Sequence, residues 1–223
     1  MIYVIPQRSN IILKLFADEV KLYSEVYSTS DDNLQIWLNN IVKWADLWQL
    51  KLSSSKCFVL PIGKSMVNTV YKINETRLLK AVSNTDLGVE IYSFLIFDQH
   101  IDKTCNTAKQ RAAIILKCFM SRNPALLVKA FITCRPIRPM LQYACNVWSP
   151  FQLIHIDKLE HVQRYFTKHL KDMYNLSYGE RLLNLGLESL DVRRLRSNLV
   201  MHFKILYYYV DLQFTDFFKI NNN

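Results

Sequence analysis

Two adjacent carboxylates are the side chains of this sequence best suited to catalysis. Asp18 and Glu19 stand in the stretch Phe16-Ala17-Asp18-Glu19, between the apolar, β-forming run Ile11–Phe16 and the alternating run Val20–Tyr23. This pattern predicts a β-hairpin with the carboxylates at its tip. Carboxylate oxygens are hard ligands that suit Mg²⁺, and a hairpin tip leaves them accessible to a substrate. A merely solvated acidic turn fits the same four residues.

A local surplus of positive charge is the second chemical feature. The 223 residues include 28 Lys and Arg and 19 Asp and Glu, for a formal net charge of +9. Residues 111–171 alone contain 10 basic and 2 acidic residues, so nearly all of the surplus lies in one segment. A localised basic surface favours an anionic partner, of which nucleic acid is the simplest.

One predicted helix concentrates this charge on a single face. The stretch from His155 to Lys171 has the periodicity of an amphipathic helix. Its apolar side chains share one face: Leu159, Val162, Phe166 and Leu170. Its basic side chains share the opposite face: His161, Arg164, Lys168 and Lys171. Such a face either is only solvated or contacts the phosphates of a nucleic acid.

The elements around the hairpin predict a small mixed α/β segment. Asp31 and Asp32 would begin an amphipathic helix, because carboxylates are favoured at helix N-termini. Its tryptophans are expected in the core: Trp37, Trp44 and Trp48. Lys56–Leu60 is a strand candidate, and Val70–Ile73 would pair with Asp86–Ile91 in a further hairpin.

From about Asp102 onward the pattern is helical. The expected helices are Thr104–Met120, Pro124–Thr133, a run up to Trp148 after a break at Arg135–Pro139, His155–Lys171, Tyr178–Leu185 and Val192–Val210. The arginines outside the basic face could cap helices or pair with Glu180, Glu188 or Asp191. The run Tyr207-Tyr208-Tyr209 could stack on bases or pack within the last helix. The fold class is therefore α+β, with a mixed segment over residues 1–98 and a helical segment over residues 99–223.

The order of short motifs along the chain resembles the reverse transcriptases of non-LTR (LINE-type, jockey-like) retrotransposons, over roughly residues 11 to 218. Phe16–Tyr23 is similar to the F-A-D-D palm motif, Trp44–Lys56 to the next palm motif, and Leu87–Ile91 to the L-G-V hairpin. Further similar segments follow in the same order, namely Leu141–Pro150 (L-E-Y-A-x-x-V-W-x-P), Leu159–Lys168 (L-E-x-V-Q-R-x-F-T-K), Tyr178–Leu182 (Y-x-x-R-L) and Leu187–Arg194 (L-x-S-L-x-x-R-R).

The resemblance implies a partial palm over residues 1–98 and a helical, thumb-like region over residues 99–223. In the family, the position of Asp18 coordinates the catalytic Mg²⁺ beside an aspartate from an earlier palm motif, and Glu19 replaces the second aspartate. Lys56 would be a proton donor to pyrophosphate. The basic face of His161, Arg164, Lys168 and Lys171 would lie along an RNA template and a DNA primer, with deoxynucleoside triphosphates as substrates.

The resemblance begins in the middle of the palm, so the fingers and the earlier palm motifs are not among these residues. Polymerase activity of the chain alone is therefore not expected, unless the missing N-terminal part of such an enzyme joins it. The alternative is a nucleic-acid-binding module without catalysis, which uses the basic helices.

Other function classes lack a sequence signal. The five cysteines have no CxxC pair, which argues against a zinc site and a disulfide framework and favours buried free thiols. The first residues do not form a signal peptide, and the longest uncharged stretch, Pro139–Ile156, is interrupted by prolines and amides. We expect an intracellular protein, nuclear or cytoplasmic, that is neither secreted nor inserted in a membrane.

Overall fold

The computed structural model describes residues 11–25, 33–63, 69–121, 123–134 and 137–219. Short two-stranded sheets dominate the first part of the described chain, and helices dominate the rest. The strands and helices are β1 (Ile11–Phe16), β2 (Glu19–Ser24), α1 (Asn33–Leu47), β3 (Phe58–Val59), β4 (Lys72–Ile73), β5 (Thr76–Arg77), β6 (Leu79–Lys80), β7 (Ser83–Asp86), β8 (Val89–Tyr92), α2 (Asp98–Cys118), α3 (Pro124–Lys129), α4 (Ile137–Met140), α5 (Cys145–Trp148), α6 (Leu153–Lys168), α7 (Tyr178–Leu185), α8 (Leu190–Leu206) and α9 (Phe214–Phe217). This mixture of helix and sheet confirms the α+β class.

The contacts divide the chain into two compact units. The first contains the described residues up to Asp86 together with Ile91–Ile96, and the second contains Leu87–Glu90 together with the described residues from Phe97 onward. Their interpretation as a palm and a thumb stays a prediction.

The predicted hairpin over residues 11–23 is confirmed. β1 and β2 pair antiparallel, from Ile11 opposite Ser24 to Phe16 opposite Glu19, so that Ala17 and Asp18 form a two-residue turn. Ala17 has a φ of 51°, in the left-handed region that the first central residue of the common hairpin turns adopts. The β-forming residues of the first strand and the alternation in the second were sufficient to predict both the strands and the turn.

Helix α1 packs on the small core of the first unit, which is formed by Tyr71, Ile73 and Leu78. Its inward-facing side chains are spaced at three or four residues: Leu34, Leu38, Val42 and Ala45. Trp44 and Trp48 are 43% and 52% exposed. The prediction that these two tryptophans belong to the core is wrong, because the small core covers only one stripe of the helix and they lie beside it. Asp31 and Asp32, predicted to begin this helix, lie outside the described residues.

The remaining strands of the first part are shorter and paired differently than expected. β4 pairs with β5, and β7 pairs with β8, so the predicted pairing of Val70–Ile73 with Asp86–Ile91 is wrong. Each of the two observed hairpins is closed by a tight turn. Closing a short loop costs less conformational entropy than closing the long loop that the predicted pairing required. The predicted strand Lys56–Leu60 is reduced to β3, which pairs parallel with β6, while Lys56 ends a 3₁₀ turn over Ser54–Lys56.

The helical unit is built around α2 and α6. The largest fully buried side chains include Trp148, Phe131 and Phe166, and the last two rings stack with their centroids 4.4 Å apart. The predicted apolar face of α6 is confirmed, since its four members lie in this core: Leu159, Val162, Phe166 and Leu170. Two side-chain contacts connect α6 to α2. Nε2 of His155 lies 3.0 Å from the Asp98 carboxylate, and Lys158 forms an ion pair with Asp102 at 2.7 Å.

The other helices begin and end at recognisable capping residues. Asn123 caps α3, whose first residue is Pro124, and the chain continues from α3 as a π-helical turn over Ala130–Cys134. Ser177 and Glu180 form a capping box at α7, and Gly186 ends that helix with a φ of 61°. The side chain of Ser189 caps α8. Of the predicted break at Arg135–Pro139, Arg135 and Pro136 lie outside the described residues. The break does not extend over residues 137–139, because these residues belong to α4.

Among the described residues, none of the helices combines the length and the hydropathy of a transmembrane span. Cys105 and Cys145 are buried free thiols, as expected, whereas Cys57 is half-buried and Cys118 is exposed. The three tyrosines Tyr207, Tyr208 and Tyr209 follow α8, which ends at Leu206, and all are more than half exposed. The rings of Tyr207 and Tyr209 nevertheless lie near that of Phe203 in α8, with centroid distances of 4.4 and 6.0 Å.

Candidate functional site

The acidic turn of the β1–β2 hairpin is exposed, and a lysine stands next to it. Asp18 lies in the turn and Glu19 begins β2. The amino group of Lys21 lies 3.6 Å from the Glu19 carboxylate and also donates a hydrogen bond to the carboxylate of Asp86. The hydrogen bond to Asp86 raises the pKa of Lys21, which stays positively charged.

This arrangement is an incomplete match to the Mg²⁺ site that the resemblance implies. Mg²⁺ prefers an octahedral shell of oxygen ligands, and the hairpin supplies two adjacent carboxylates. In the described part of the chain, no group of three or more His, Cys, Asp or Glu side chains could hold a metal ion. In addition, the ammonium group of Lys21 competes with a metal cation for Glu19. These residues by themselves do not form a two-metal centre.

Lys56, the third residue predicted for catalysis, is exposed at the end of its 3₁₀ turn. Its backbone N–H donates a hydrogen bond to the carbonyl oxygen of Ser53. Among the described residues, Lys56 makes neither a hydrogen bond nor an ion pair with Asp18 or Glu19. Its predicted role as a proton donor has no geometric support within this unit and stays a prediction.

The basic face of α6 is assembled as the helical pattern predicts. His161 and Lys168 are exposed and Arg164 is partly exposed on α6, while Lys171 is exposed in the turn that follows it. The three side chains on α6 form a strip because positions three or four apart stack on a helix, and Lys171 lies beyond the end of the helix. We call these four residues, together with Lys109, the α6 surface.

Two of the cationic groups lie over aromatic rings. The Lys168 amino group lies 4.8 Å from the centroid of the Tyr174 ring, and the Arg164 guanidinium lies 5.2 Å from that of Tyr178. Arg164 also reaches Asp157 at 3.4 Å, with both side chains substantially exposed. An exposed pair of this kind is weak and leaves the guanidinium available to another anion.

Lys109 joins this surface from a neighbouring helix. It lies on α2, which packs against α6, and its charge acts on His161. Partial desolvation lowers the pKa of the His161 imidazole, and the charges of Lys109 and Arg164 lower it further. Sequence analysis missed Lys109, because its proximity to His161 depends on how two distant helices pack.

A buried polar network fixes the orientation of α6. Glu160, only 6% exposed, accepts hydrogen bonds from the backbone N–H groups of Leu190 and Asp191 at 3.1 and 3.2 Å, at the start of α8. It also accepts a hydrogen bond from the hydroxyl group of Tyr178. On the same side of the helix, the amide of Gln163 donates to the carbonyl oxygen of Glu188. These bonds turn the carboxylate of Glu160 into the protein and the basic side chains outward.

Three other arginines of the helical unit pair with carboxylates: Arg193, Arg194 and Arg196. Arg193 and Arg196 both pair with Glu188, at 3.2 and 2.5 Å, and the Arg196 hydrogen bond lowers the pKa of that carboxyl group. Arg194 is 2% exposed and lies 3.7 Å from Asp191. The pairing with Glu188 and Asp191 that the sequence left open for these arginines is confirmed. Burial removes Arg194 from the accessible basic surface, whereas the side chain of Arg196 stays 60% exposed. Glu180 instead belongs to the capping box of α7, and Arg135 lies outside the described residues.

Comparison with known proteins adds little. An uncharacterized protein of Caenorhabditis elegans, B0403.1, is 27% identical over 124 residues, which cover 54% of this chain and 62% of that protein. The chain therefore matches less than two thirds of that relative's length. No protein-family model matches the sequence, and no solved structure matches it.

Proposed function

We propose that this protein binds the phosphate backbone of a nucleic acid through the α6 surface. The observation that carries the proposal is the separation of charge across α6. Residues 111–171 contain only two acidic side chains, Asp157 and Glu160. Glu160 is buried against the start of α8, so of these two carboxylates only Asp157 is exposed beside the cations of the α6 surface, and Asp172 follows Lys171 in the turn beyond the helix.

The chemistry of the surface fits phosphate groups. Lys168 and Lys171 are exposed point charges, and Arg164 can exchange its exposed pair with Asp157 for a phosphate. Each phosphate neutralised by such a cation releases condensed counterions, which makes binding steeply dependent on salt. The histidine adds a proton-dependent charge to the same strip.

Fluorescence anisotropy with a labelled oligonucleotide tests the proposal. We expect the double variant Lys168→Ala/Lys171→Ala to weaken binding by at least about tenfold and to reduce the slope of log affinity against log salt by about one unit or more. The matched control is Lys204→Ala, which removes an exposed lysine from α8 of the same unit. A flat salt dependence, or equal losses in the control, would exclude the α6 surface.

A second proposal concerns ancestry. We propose that the chain is related to the reverse transcriptases of non-LTR retrotransposons, and that it is a fragment of such an RNA-directed DNA polymerase, inactive alone. The Phe16–Glu19 hairpin with its exposed carboxylates supports this proposal, together with the order of the later motifs. On this proposal the nucleic acid is an RNA template with a DNA primer, in the nucleus or the cytoplasm.

Primer extension on an RNA template with Mg²⁺ tests this second proposal. We expect the chain alone to incorporate no deoxynucleotide above background, because the hairpin supplies only two carboxylates. If a longer product from the same gene extends the primer, Asp18→Asn in that product should abolish extension. Extension that survives Asp18→Asn would exclude the predicted role of Asp18, and extension by the chain alone would refute its expected inactivity.

A further inference from the structure

Aromatic rings adjoin the cations of the α6 surface. Tyr165 and His169 lie one helical turn apart, with ring centroids separated by 4.4 Å, and Nδ1 of His169 lies 2.8 Å from the carbonyl oxygen of Tyr165. Tyr174 is 69% exposed, and its ring contacts the Lys168 amino group. The rings and cations therefore alternate along one exposed side of the helical unit.

Packing within the fold does not account for the exposure of Tyr174 and His169, whereas Tyr165 is half-buried. A tyrosine buried in a core contributes through the area that it removes from water, but Tyr174 leaves most of its surface in solvent. The Lys168 amino group lies over the Tyr174 ring, and the 69% exposure of this tyrosine leaves much of it accessible to another planar group. His169 is likewise exposed beside Tyr165. Planar, solvated rings set among cations are the elements from which single-strand binding surfaces are built.

We propose that the α6 surface prefers single-stranded nucleic acid, with unpaired bases stacked on Tyr174 and on the Tyr165–His169 pair. This inference rests on the proposed binding function and specifies its substrate class. In a duplex the bases are already stacked on one another and only the phosphates reach a convex helical surface. In a single strand the bases are free to stack on a ring while the neighbouring phosphates meet Lys168 and Lys171. RNA and DNA share this chemistry, so both are candidates.

Four labelled probes of about 15 nucleotides distinguish the contribution of the bases to binding from that of the phosphates. They are oligo-dT, oligo-U, an abasic DNA strand and a DNA duplex. We expect the oligo-dT or oligo-U strand to bind at least about fivefold more tightly than the abasic strand and the duplex at the same salt concentration. The difference between oligo-dT and oligo-U shows whether RNA or DNA is preferred. Tighter binding of the duplex than of both single strands would overturn the inference.

The variant Tyr174→Leu tests the ring directly. We expect it to weaken binding of the preferred strand about five- to tenfold while leaving the affinity for the abasic strand and the salt slope unchanged. The matched control, Tyr209→Leu, removes a tyrosine of nearly equal exposure, 71%, beyond the end of α8. Circular dichroism and thermal melting would establish that both variants are folded.

The outcomes distinguish failure of this inference from failure of the proposed function. If Tyr174→Leu has no effect while Lys168→Ala/Lys171→Ala still weakens binding, the surface binds phosphates without stacking bases and the inference is wrong. An equal loss in Tyr209→Leu would place the stacking elsewhere and would also overturn it. If none of the four probes binds, the proposed function itself fails.

Discussion

The hydroxyl group of Tyr178 donates a hydrogen bond to the buried carboxylate of Glu160, and this contact joins α7 to α6. The same carboxylate accepts the N–H groups of Leu190 and Asp191 at the start of α8. Burial and the hydrogen bond to Glu160 raise the pKa of Tyr178, which stays protonated as a donor. Three helices therefore meet at the carboxylate of Glu160. Its oxygens accept hydrogen bonds from protein donors instead of from water.

Removing this hydroxyl should destabilise the helical unit. Tyr178→Phe leaves the ring beneath Arg164 and Arg181 but deprives Glu160 of one donor, so we expect the free energy of unfolding to fall by about 1–2 kcal/mol. Urea denaturation followed by circular dichroism measures the loss. Tyr174→Phe is the matched control, since its exposed hydroxyl group should contribute nothing measurable. Equal stability of the two variants would show that the Tyr178 hydroxyl does not support Glu160.

The protonation of His161 should couple nucleic-acid binding to pH. In the free protein, desolvation and the charges of Lys109 and Arg164 lower the pKa of His161, although Asp157 opposes them. Bound phosphates would stabilise the imidazolium ion, so its pKa should rise on binding and the complex should take up a proton. Affinity should therefore increase as the pH falls from about 7.5 to about 5.5, across the ordinary pKa of histidine near 6.5.

Anisotropy titrations over this pH range would measure the coupling. We expect His161→Gln to remove a substantial part of the increase in affinity at low pH and to have little effect at pH values above about 7.5. His202→Gln on α8 is the control, because its ring packs against Phe218. A pH profile unchanged by His161→Gln would show that this imidazole does not face the bound phosphates.

Two glycines should respond to alanine with opposite signs. Gly186 ends α7 with a φ of 61°, which alanine adopts only with strain, so Gly186→Ala should lower the free energy of unfolding by about 1 kcal/mol. Gly179 lies inside the first turn of α7 with open space around it, so Gly179→Ala should be neutral or stabilising by up to about 1 kcal/mol. Urea denaturation of both variants measures the two changes in the free energy of unfolding. Equal effects would mean that the end of α7 does not require the left-handed conformation.

The thiols should differ in reactivity with an alkylating reagent. Cys118 is exposed at the end of α2, so iodoacetamide should label it in the native protein. Cys105 is buried and burial raises its pKa to about 11, so little thiolate forms near neutral pH. We expect Cys105 and the buried Cys145 to react only after unfolding, as peptide mass mapping would show. Rapid native labelling of Cys105 would contradict the packing of α2.

Local sequence signals determined much of the fold. The β-forming run Ile11–Phe16 and the alternating run Val20–Tyr23 were sufficient for the hairpin, because strand pairing across a two-residue turn involves only near neighbours. Similarly, Pro124 and Gly186 marked a helix start and a helix end, since both act through their own backbone conformation. The apolar and basic faces of α6 followed from its helical period.

Contacts between distant segments were decided only by the tertiary structure. The spacing of apolar residues in α1 does not show which of them will contact the rest of the protein. Trp44 and Trp48 were therefore assigned to the core, although both are substantially exposed beside it. From the sequence, a carboxylate in a basic segment is expected at the surface. Glu160 is instead buried, because it accepts hydrogen bonds from the backbone at the start of α8. The approach of Lys109 to His161 depends on the packing of α2 against α6. Sequence alone determined which side chains α6 turns outward. The tertiary structure decided which of the charges nearby stay exposed, because burial depends on neighbours that lie far along the chain.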